Sequence, residues 1–405
     1  MKKTVKTILL SFCIASLPIF IFMVASAASH ADINGDGVLN TADLPCLMKL
    51  IAAGDNDLSH DLNGDGAVNI KDLIRLMKKL ASGETLAPAT SRPDEVTEPE
   101  TTAPITTTPI TTAPTAPAPD GDGYLVALTN QGQSTLEVHD ISEGRLDSSS
   151  LVWSYKADYY NIAGAKLRNC SEYGDVALFV CGSSHGYMVS YPEGELLWST
   201  SNAAANPHSI ELMPNGIIAI ASSTGNEIRF FSPTQSFSFQ LASVKLTDAH
   251  GVLWDDINQL LWAIGGDLLT AYRVTLNGYK LTVSEDSSRR VVIPTDNAHD
   301  LAPVYGNPDL LWITTGSKVY QFNKRTESFS VSYAGNEWLN RKNVKGVGNF
   351  SDGSICYIYP DGAFESWTSR SIMLIRCKNG EMVKEKLTSD SGHFYKIRVW
   401  DTAYQ

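Results

Sequence analysis

No C-x-x-C pair occurs among the six cysteines of this 405-residue sequence, so zinc-site spacing is absent. Positive charge is in deficit, with 32 Lys+Arg against 44 Asp+Glu. The deficit is shared: residues 1–121 carry 9 basic against 14 acidic side chains, and residues 122–405 carry 23 against 30. Neither part has the basic surplus that phosphate-backbone binding requires, which argues against a nucleic-acid partner. There is no G-x-S-x-G elbow, H-E-x-x-H helix or phosphate-cradling loop, and no spacing singles out a pair of carboxylates for glycoside hydrolysis. After residue 24 no stretch approaches the length of a membrane span. What remains, at 43% hydrophobic and 19% charged residues, is a mostly globular chain long enough for two or three domains.

Residues 1–30 read as an export signal. Lys2, Lys3 and Lys6 precede an uncharged run from Ile8 to Val24, and Ala25-Ser26-Ala27 fits a small-residue cleavage site. The alternative is an uncleaved anchor; Pro18 within the run and the small-residue exit favour cleavage. A secreted, extracellular chain with no membrane span after cleavage is expected. Cys13 leaves with the signal. Cys170 with Cys181, and Cys356 with Cys377, are either bridges between neighbouring strands or buried thiols.

A 12-residue motif occurs twice, 29 residues apart: Asp32-Ile-Asn-Gly-Asp-Gly-Val-Leu-Asn-Thr-Ala-Asp43 and Asp61-Leu-Asn-Gly-Asp-Gly-Ala-Val-Asn-Ile-Lys-Asp72. Oxygen-bearing side chains fall at positions 1, 3, 5, 9 and 12: Asp32, Asn34, Asp36, Asn40 and Asp43, then Asp61, Asn63, Asp65, Asn69 and Asp72. Position 7 (Val38, Ala67) contributes a carbonyl, and Gly37 and Gly66 allow the sharp turn at position 6. A hard cation taking six or more oxygens suits this set, so two Ca2+ are expected. An apolar-periodic helix follows each loop, over 44–53 and 73–81, and there is no room for a helix before Asp32.

This loop–helix duplicate with Asp at position 12 closely resembles a type I dockerin over residues 31–82. The resemblance implies a secreted cellulosome component that docks to the cohesin of a scaffold protein. Family contacts would fall on Thr41 and Ala42 in the first copy and Ile70 and Lys71 in the second, with Lys49 and Lys78 at matching helix positions. Because the two pairs differ chemically, equivalent binding in two orientations is not implied. Calcium should couple to folding, since about fifty residues hold a very small core.

Residues 83–122 are rich in Thr and Pro, a composition that gives an extended, non-core spacer. Residues 123–405 change texture: short β-rich runs alternate with Gly, Asn, Asp and Ser clusters. A unit opening on Asn or Asp recurs as Asn161-Ile-Ala163, Asn206-Pro-His208, Asp248-Ala-His250, Asn297-Ala-His299 and Asn343-Val-Lys345, with a last variant Phe394-Tyr-Lys396. Such spacing, 42 to 51 residues, is that of a four-stranded propeller blade. The domain opens at Tyr124-Leu-Val-Ala-Leu with no inner strand before it, and its last unit has one strand after it. Joining these ends completes a sixth blade and removes open edges. A multidomain chain is expected: a small α dockerin and an all-β domain, a six-bladed β-propeller closed by its C-terminal strand, with seven blades or a sandwich as alternatives.

One equivalent residue from each inner strand forms a ring about a propeller axis, here Ala163, His208, His250, His299, Lys345 and Lys396. Three readings follow. In one, the lysines bind an anionic sugar of plant cell-wall polysaccharide and a histidine acts as base in β-elimination. In the second, His208, His250 and His299 hold an additional divalent metal in the channel; propeller-type oligogalacturonate lyases are similar in kind, though their blade number differs. In the third, the residues knit strands together, as a histidine does in WD repeats. A lyase or hydrolase and a non-catalytic carbohydrate-binding module both remain open. Trp338 and Trp367 sit in polar contexts suited to sugar stacking, whereas Trp254, Trp262, Trp312 and Trp400 lie in apolar runs and are expected in the core.

Overall fold

The computed structural model describes residues 31–34, 39–40, 43–52, 57–63, 67–82, 123–233, 240–277, 280–378 and 381–403. The expected signal (1–30) and spacer (83–122) lie outside the described residues, as do Asp36, Val38, Thr41, Ala42 and Asp65 and the side chains of Ile70, Lys71 and Lys78. The chain divides into two compact units, Met1–Pro104 and Ile105–Gln405.

In the first unit, helix α1 covers Asp43–Ala52 and helix α2 covers Ile70–Ser82. Their apolar residues recur at helical spacing, so Leu47 on α1 meets Leu73, Leu76 and Met77 on α2, with Ala31 beside them. Pro45 is exposed in the first turn of α1, where a missing N–H is tolerated.

The second unit is a ring of six antiparallel sheets. Five blades run in simple order, each beginning with an inner strand: Ile162–Cys170, Pro207–Leu212, Ala249–Asp255, Asp300–Val304 and Gly346–Asn349. The sixth takes its inner strand, Phe394–Val399, from the end of the chain and its next three strands, Leu125–Asn130, Thr135–Asp140 and Leu151–Lys156, from the start. Leu128 faces Ile397 in that closing register. Closure leaves neither terminal strand as an open edge, as the mismatched ends of the sequence predicted.

The core lies in layers between neighbouring blades. Six apolar clusters occur among the described residues of this unit, each drawing most of its side chains from two adjacent sheets. Trp262, Trp312 and Trp400 are buried in three of them, as expected from their apolar runs. Trp254 is only half-buried. Cys46, Cys170, Cys181, Cys356 and Cys377 are all free thiols. Bridging is precluded by register: Cys170 faces Gly174 and Cys181 faces Ile162 at opposite ends of one hairpin. Burial pushes the thiols of Cys181 and Cys356 up to about 12, which leaves them inert at neutral pH.

Candidate functional site

The recurring Asn or Asp has a backbone reason. Asn161, Asn206, Asp248, Asn297 and Asn343 all adopt positive φ, between 51° and 61°, one to three residues before an inner strand begins. These residue types tolerate the left-handed region better than other non-glycine residues. The turn that each makes delivers the residue two places on to the channel mouth. Crowding follows at once: a Cβ on Gly164 would lie 2.3 Å from the His208 carbonyl oxygen, and one on Gly346 would lie 2.9 Å from that of Ile397. Adjacent inner strands therefore converge just below the mouth.

Ala163, His208, His250, His299 and Lys345 line one cavity of about 470 Å³. The sixth place belongs to Tyr395 rather than Lys396, which corrects the expected ring. Tyr395 is the second residue of its inner strand, as His208 and His250 are of theirs. Lys396 takes the next place, held by glycine in three blades, and turns into the channel. There its Nζ donates to the His299 carbonyl at 2.9 Å and pairs with Asp300 at 3.2 Å. No leading Asn or Asp marks this last unit, so its offset by one residue had no sequence signal.

The imidazoles form a chain, with ring centroids 4.3 Å apart for His208–His250 and 5.1 Å for His250–His299. Nδ1 of His208 lies 2.9 Å from the Asn206 carbonyl and Nδ1 of His250 lies 2.9 Å from that of Asp248, so each Nδ1–H donates to backbone. This tautomer leaves the Nε2 lone pairs as acceptors. His299 differs: Lys345 Nζ donates to its Nε2 at 2.9 Å, while its Nδ1 is buried without a partner. Burial, with His250 and Lys396 adding to it, holds His208 well below the usual imidazole value. Burial and the adjacent Lys345 bring His299 down to about 2. Burial, helped by Lys396, brings the Lys345 ammonium down to about 8. Neutral imidazoles of His208 and His299 thus share the cavity with a lysine that still carries its proton at neutral pH.

The donor set does not fit a three-histidine metal centre, because the Nε2 of His299 is taken by an ammonium. Among the described residues no group of three or more His, Cys, Asp or Glu is placed to hold a metal ion.

Asp248 is the carboxylate that lines the cavity, with its Oδ1 3.2 Å from His250 Nδ1. Trp367 also lines it, 45% exposed, its indole N–H donating to Gln131 Oε1 at 3.0 Å. It sits on the 359–370 connection; the corresponding second-to-third-strand connections of the other blades span only two to four residues. Trp338 instead packs half-buried against the cluster of Trp312 and Tyr357.

In the first unit Asp43 and Asp72 are fully buried. Each closes its loop in the same way. The Oδ1 of Asp43 accepts Asn34 N–H at 3.2 Å and its Oδ2 accepts Asn40 N–H at 2.9 Å; for Asp72 the matching donors are Asn63 at 3.1 Å and Asn69 at 2.7 Å. The backbone at positions 3 and 9 is therefore wrapped about the position-12 carboxylate. Asp32 and Asp61 stand at the loop starts, Ala67 at position 7, and Lys49 is exposed on α1.

Sequence expectation missed a second cluster, in the channel wall, where Lys166 and Arg168 pair with Glu211, and Lys396 and Arg398 pair with Asp300. A signal existed. Ala-Lys166-Leu-Arg168 and Tyr-Lys396-Ile-Arg398 alternate charge with apolar residues, which puts both cations of each strand on one face.

The fold and the duplicated loop define a six-bladed β-propeller borne on a dockerin. The type I dockerin domain matches over residues 30–81. Residues 180–386 match the Family of unknown function (DUF6528), and the chain belongs to that family. No curated protein matches it. Among solved structures it resembles a protein of unknown function from Bacteroides caccae at 10% identity and a TM-score of 0.47, covering 68% of this chain and 98% of that one. A structure of a nidogen/laminin complex aligns at 11% identity and a TM-score of 0.47, covering 69% and 98%. A functionally unknown protein from Desulfotomaculum acetoxidans aligns at 7% and 0.42, covering 68% and 98%.

Type I dockerins bind Ca2+ and dock to cohesins, so this chain is an extracellular, cellulosome-associated protein. Among the described residues no helix is long and apolar enough to cross a membrane.

Proposed function

We propose that the chain is secreted through its N-terminal signal, docks by Ca2+ held in both loops, and presents a propeller whose mouth acts on an acidic plant cell-wall polysaccharide. The Ca2+ ligands are the oxygens at positions 1, 3, 5, 7, 9 and 12 of each loop. Cohesin contacts are Thr41, Ala42, Lys49, Ile70, Lys71 and Lys78.

A single observation carries the mouth reading: a lysine, three imidazoles and an exposed indole share one cavity, with the Nδ1 of His208 and of His250 committed to backbone. Lys345 answers the uronate carboxylate and Trp367 offers a face for the sugar ring. Nε2 of His250 takes the proton on the carbon beside the carboxylate. That C–H pair becomes the new C=C bond as the glycosidic C–O bond breaks, and the departing oxygen, which keeps the C–O pair, takes a proton from water. His208 and His299 shape the wall and keep the site free of competing positive charge. Lys396 supports His299 from below through its carbonyl.

A second reading, retention without cleavage, is favoured by the bonds that tie His208 and His250 each to the carbonyl two residues earlier, which give both rings a part in holding their own turns. A polyuronate panel separates the two. Unsaturated ends that appear with the natural chain and vanish in His250→Ala, with the fold retained, support the lyase. Polymer retained in affinity electrophoresis without cleavage supports binding. Absence of both cleavage and retention across the acidic polymers would overturn the proposal.

A further inference from the structure

Large apolar side chains left in water call for a reason when they gather in one place. Among the described residues of the propeller the exposed aromatic rings are Tyr159, Tyr160, Phe364 and Trp367, between 42% and 65% exposed. All four lie on two connections that open at the mouth. Tyr159 and Tyr160 lead into Asn161, which lines the cavity, and Phe364 shares the 359–370 connection with Trp367. These connections belong to the fifth blade and to the junction of the sixth with the first. His208, His250 and His299 stand on the second, third and fourth blades, so the rings hold the other half of the rim.

Three of the rings are backed by fixed partners. Tyr159 stacks on His185 with centroids 3.4 Å apart, and Nδ1 of His185 is bonded to the Ser183 carbonyl at 2.7 Å. Phe364 lies 4.2 Å from the ring of His393, which pairs with Glu365. Gln131 joins the two connections: its Oε1 accepts the Trp367 N–H at 3.0 Å and its Nε2 donates to the Ile162 carbonyl at 3.1 Å. Its own backbone N–H donates to the His393 carbonyl at 2.8 Å. Rings held in place before a ligand arrives lose little freedom on binding it.

The chemistry of the arc points to one kind of occupant. Residues 157–161 and 359–370 contain no Leu, Ile, Val or Met, so the rings are separated by polar groups rather than joined by aliphatic surface. A lipid or an aliphatic peptide would need continuous apolar cover. A sugar presents an apolar ring face and a hydroxyl edge, which suits a ring platform with polar neighbours. Resting on the carbohydrate reading of the mouth, we infer that Tyr159 and Tyr160 on one side of Gln131, with Phe364 and Trp367 on the other, are stacking platforms for sugar units that flank the one in the cavity. The ligand is therefore a chain of several units, and those on the arc need carry no charge.

The test is calorimetric titration of the full chain with oligogalacturonides and with neutral cello-oligosaccharides, each of two and six units. Six units should bind at least tenfold more tightly than two. Tyr160→Ala and Phe364→Ala should each weaken the six-unit ligand by about threefold to tenfold and leave the two-unit ligand within about twofold. Both side chains are exposed, so the fold should survive, which circular dichroism checks. Acidic oligomers that depend on Lys345 but ignore both ring substitutions would overturn the arc and leave the mouth reading standing. Neutral six-unit binding that needs the rings and ignores Lys345→Met would support the arc and remove the acidic reading. No affinity for either six-unit ligand would overturn both.

Discussion

The two units solve the problem of a stable interior in opposite ways. Among its described residues the dockerin buries five apolar side chains, Ala31, Leu47, Leu73, Leu76 and Met77, and wraps backbone of both loops about two buried carboxylates. So small a core is expected to depend on a cation for charge balance and for cohesion. The propeller has six interblade layers and brings its two ends together in one sheet. Its integrity depends on closure, and its interior charges are matched mainly by one another. One unit is expected to need something from outside; the other closes on its own last strand.

Chelation should break this symmetry most sharply. Asp32→Ala with Asp61→Ala, or excess chelator, is expected to abolish cohesin capture while the β-sheet circular dichroism of the same chain is unchanged. Capture that survives either treatment would contradict a calcium-dependent dockerin. Ending the chain at His393 is the matching insult to the propeller. It strips the sixth blade of its inner strand and should replace one cooperative unfolding transition with a broad one, while cohesin capture persists.

Removing half of a buried ion pair is a smaller blow. Glu211→Ala leaves Lys166 and Arg168 unanswered and should cost about 3–5 kcal/mol by denaturant titration. The same pair sets an acid limit. Burial alone would raise the Glu211 carboxyl, but Arg168 and Lys166 hold it down to about 2. Its folded value is depressed, so its contribution is fully present above the unfolded carboxylate value of roughly 4.3 and is lost as pH falls toward 2. Melting temperature followed from pH 5 to pH 2 should fall less steeply in Glu211→Gln than in the natural chain.

Much of this was legible in residues because the fold repeats. The left-handed turn selects Asn or Asp five times, and the apolar runs mark the second strands, so blade number and closure followed from spacing. Tyr395 and Lys396 were not distinguishable that way, because the closing blade has no Asn or Asp to set its register. Trp367 stood out by its polar context as Trp338 did, but only the long connection that carries it brings it to the mouth. Charge pairing across the channel joins residues 45 and 98 positions apart, Lys166 with Glu211 and Asp300 with Arg398. Only the closed ring brings them together.

The central claim is that Lys345 holds an acidic sugar at the mouth, and calorimetric titration of a short polyuronate against pH tests it most directly. Affinity should be steady up to about pH 7, fall as pH rises through about 8 where the ammonium loses its proton, and drop at least tenfold at neutral pH in Lys345→Met. Affinity that ignores pH over this range, and that Lys345→Met leaves intact, would contradict it.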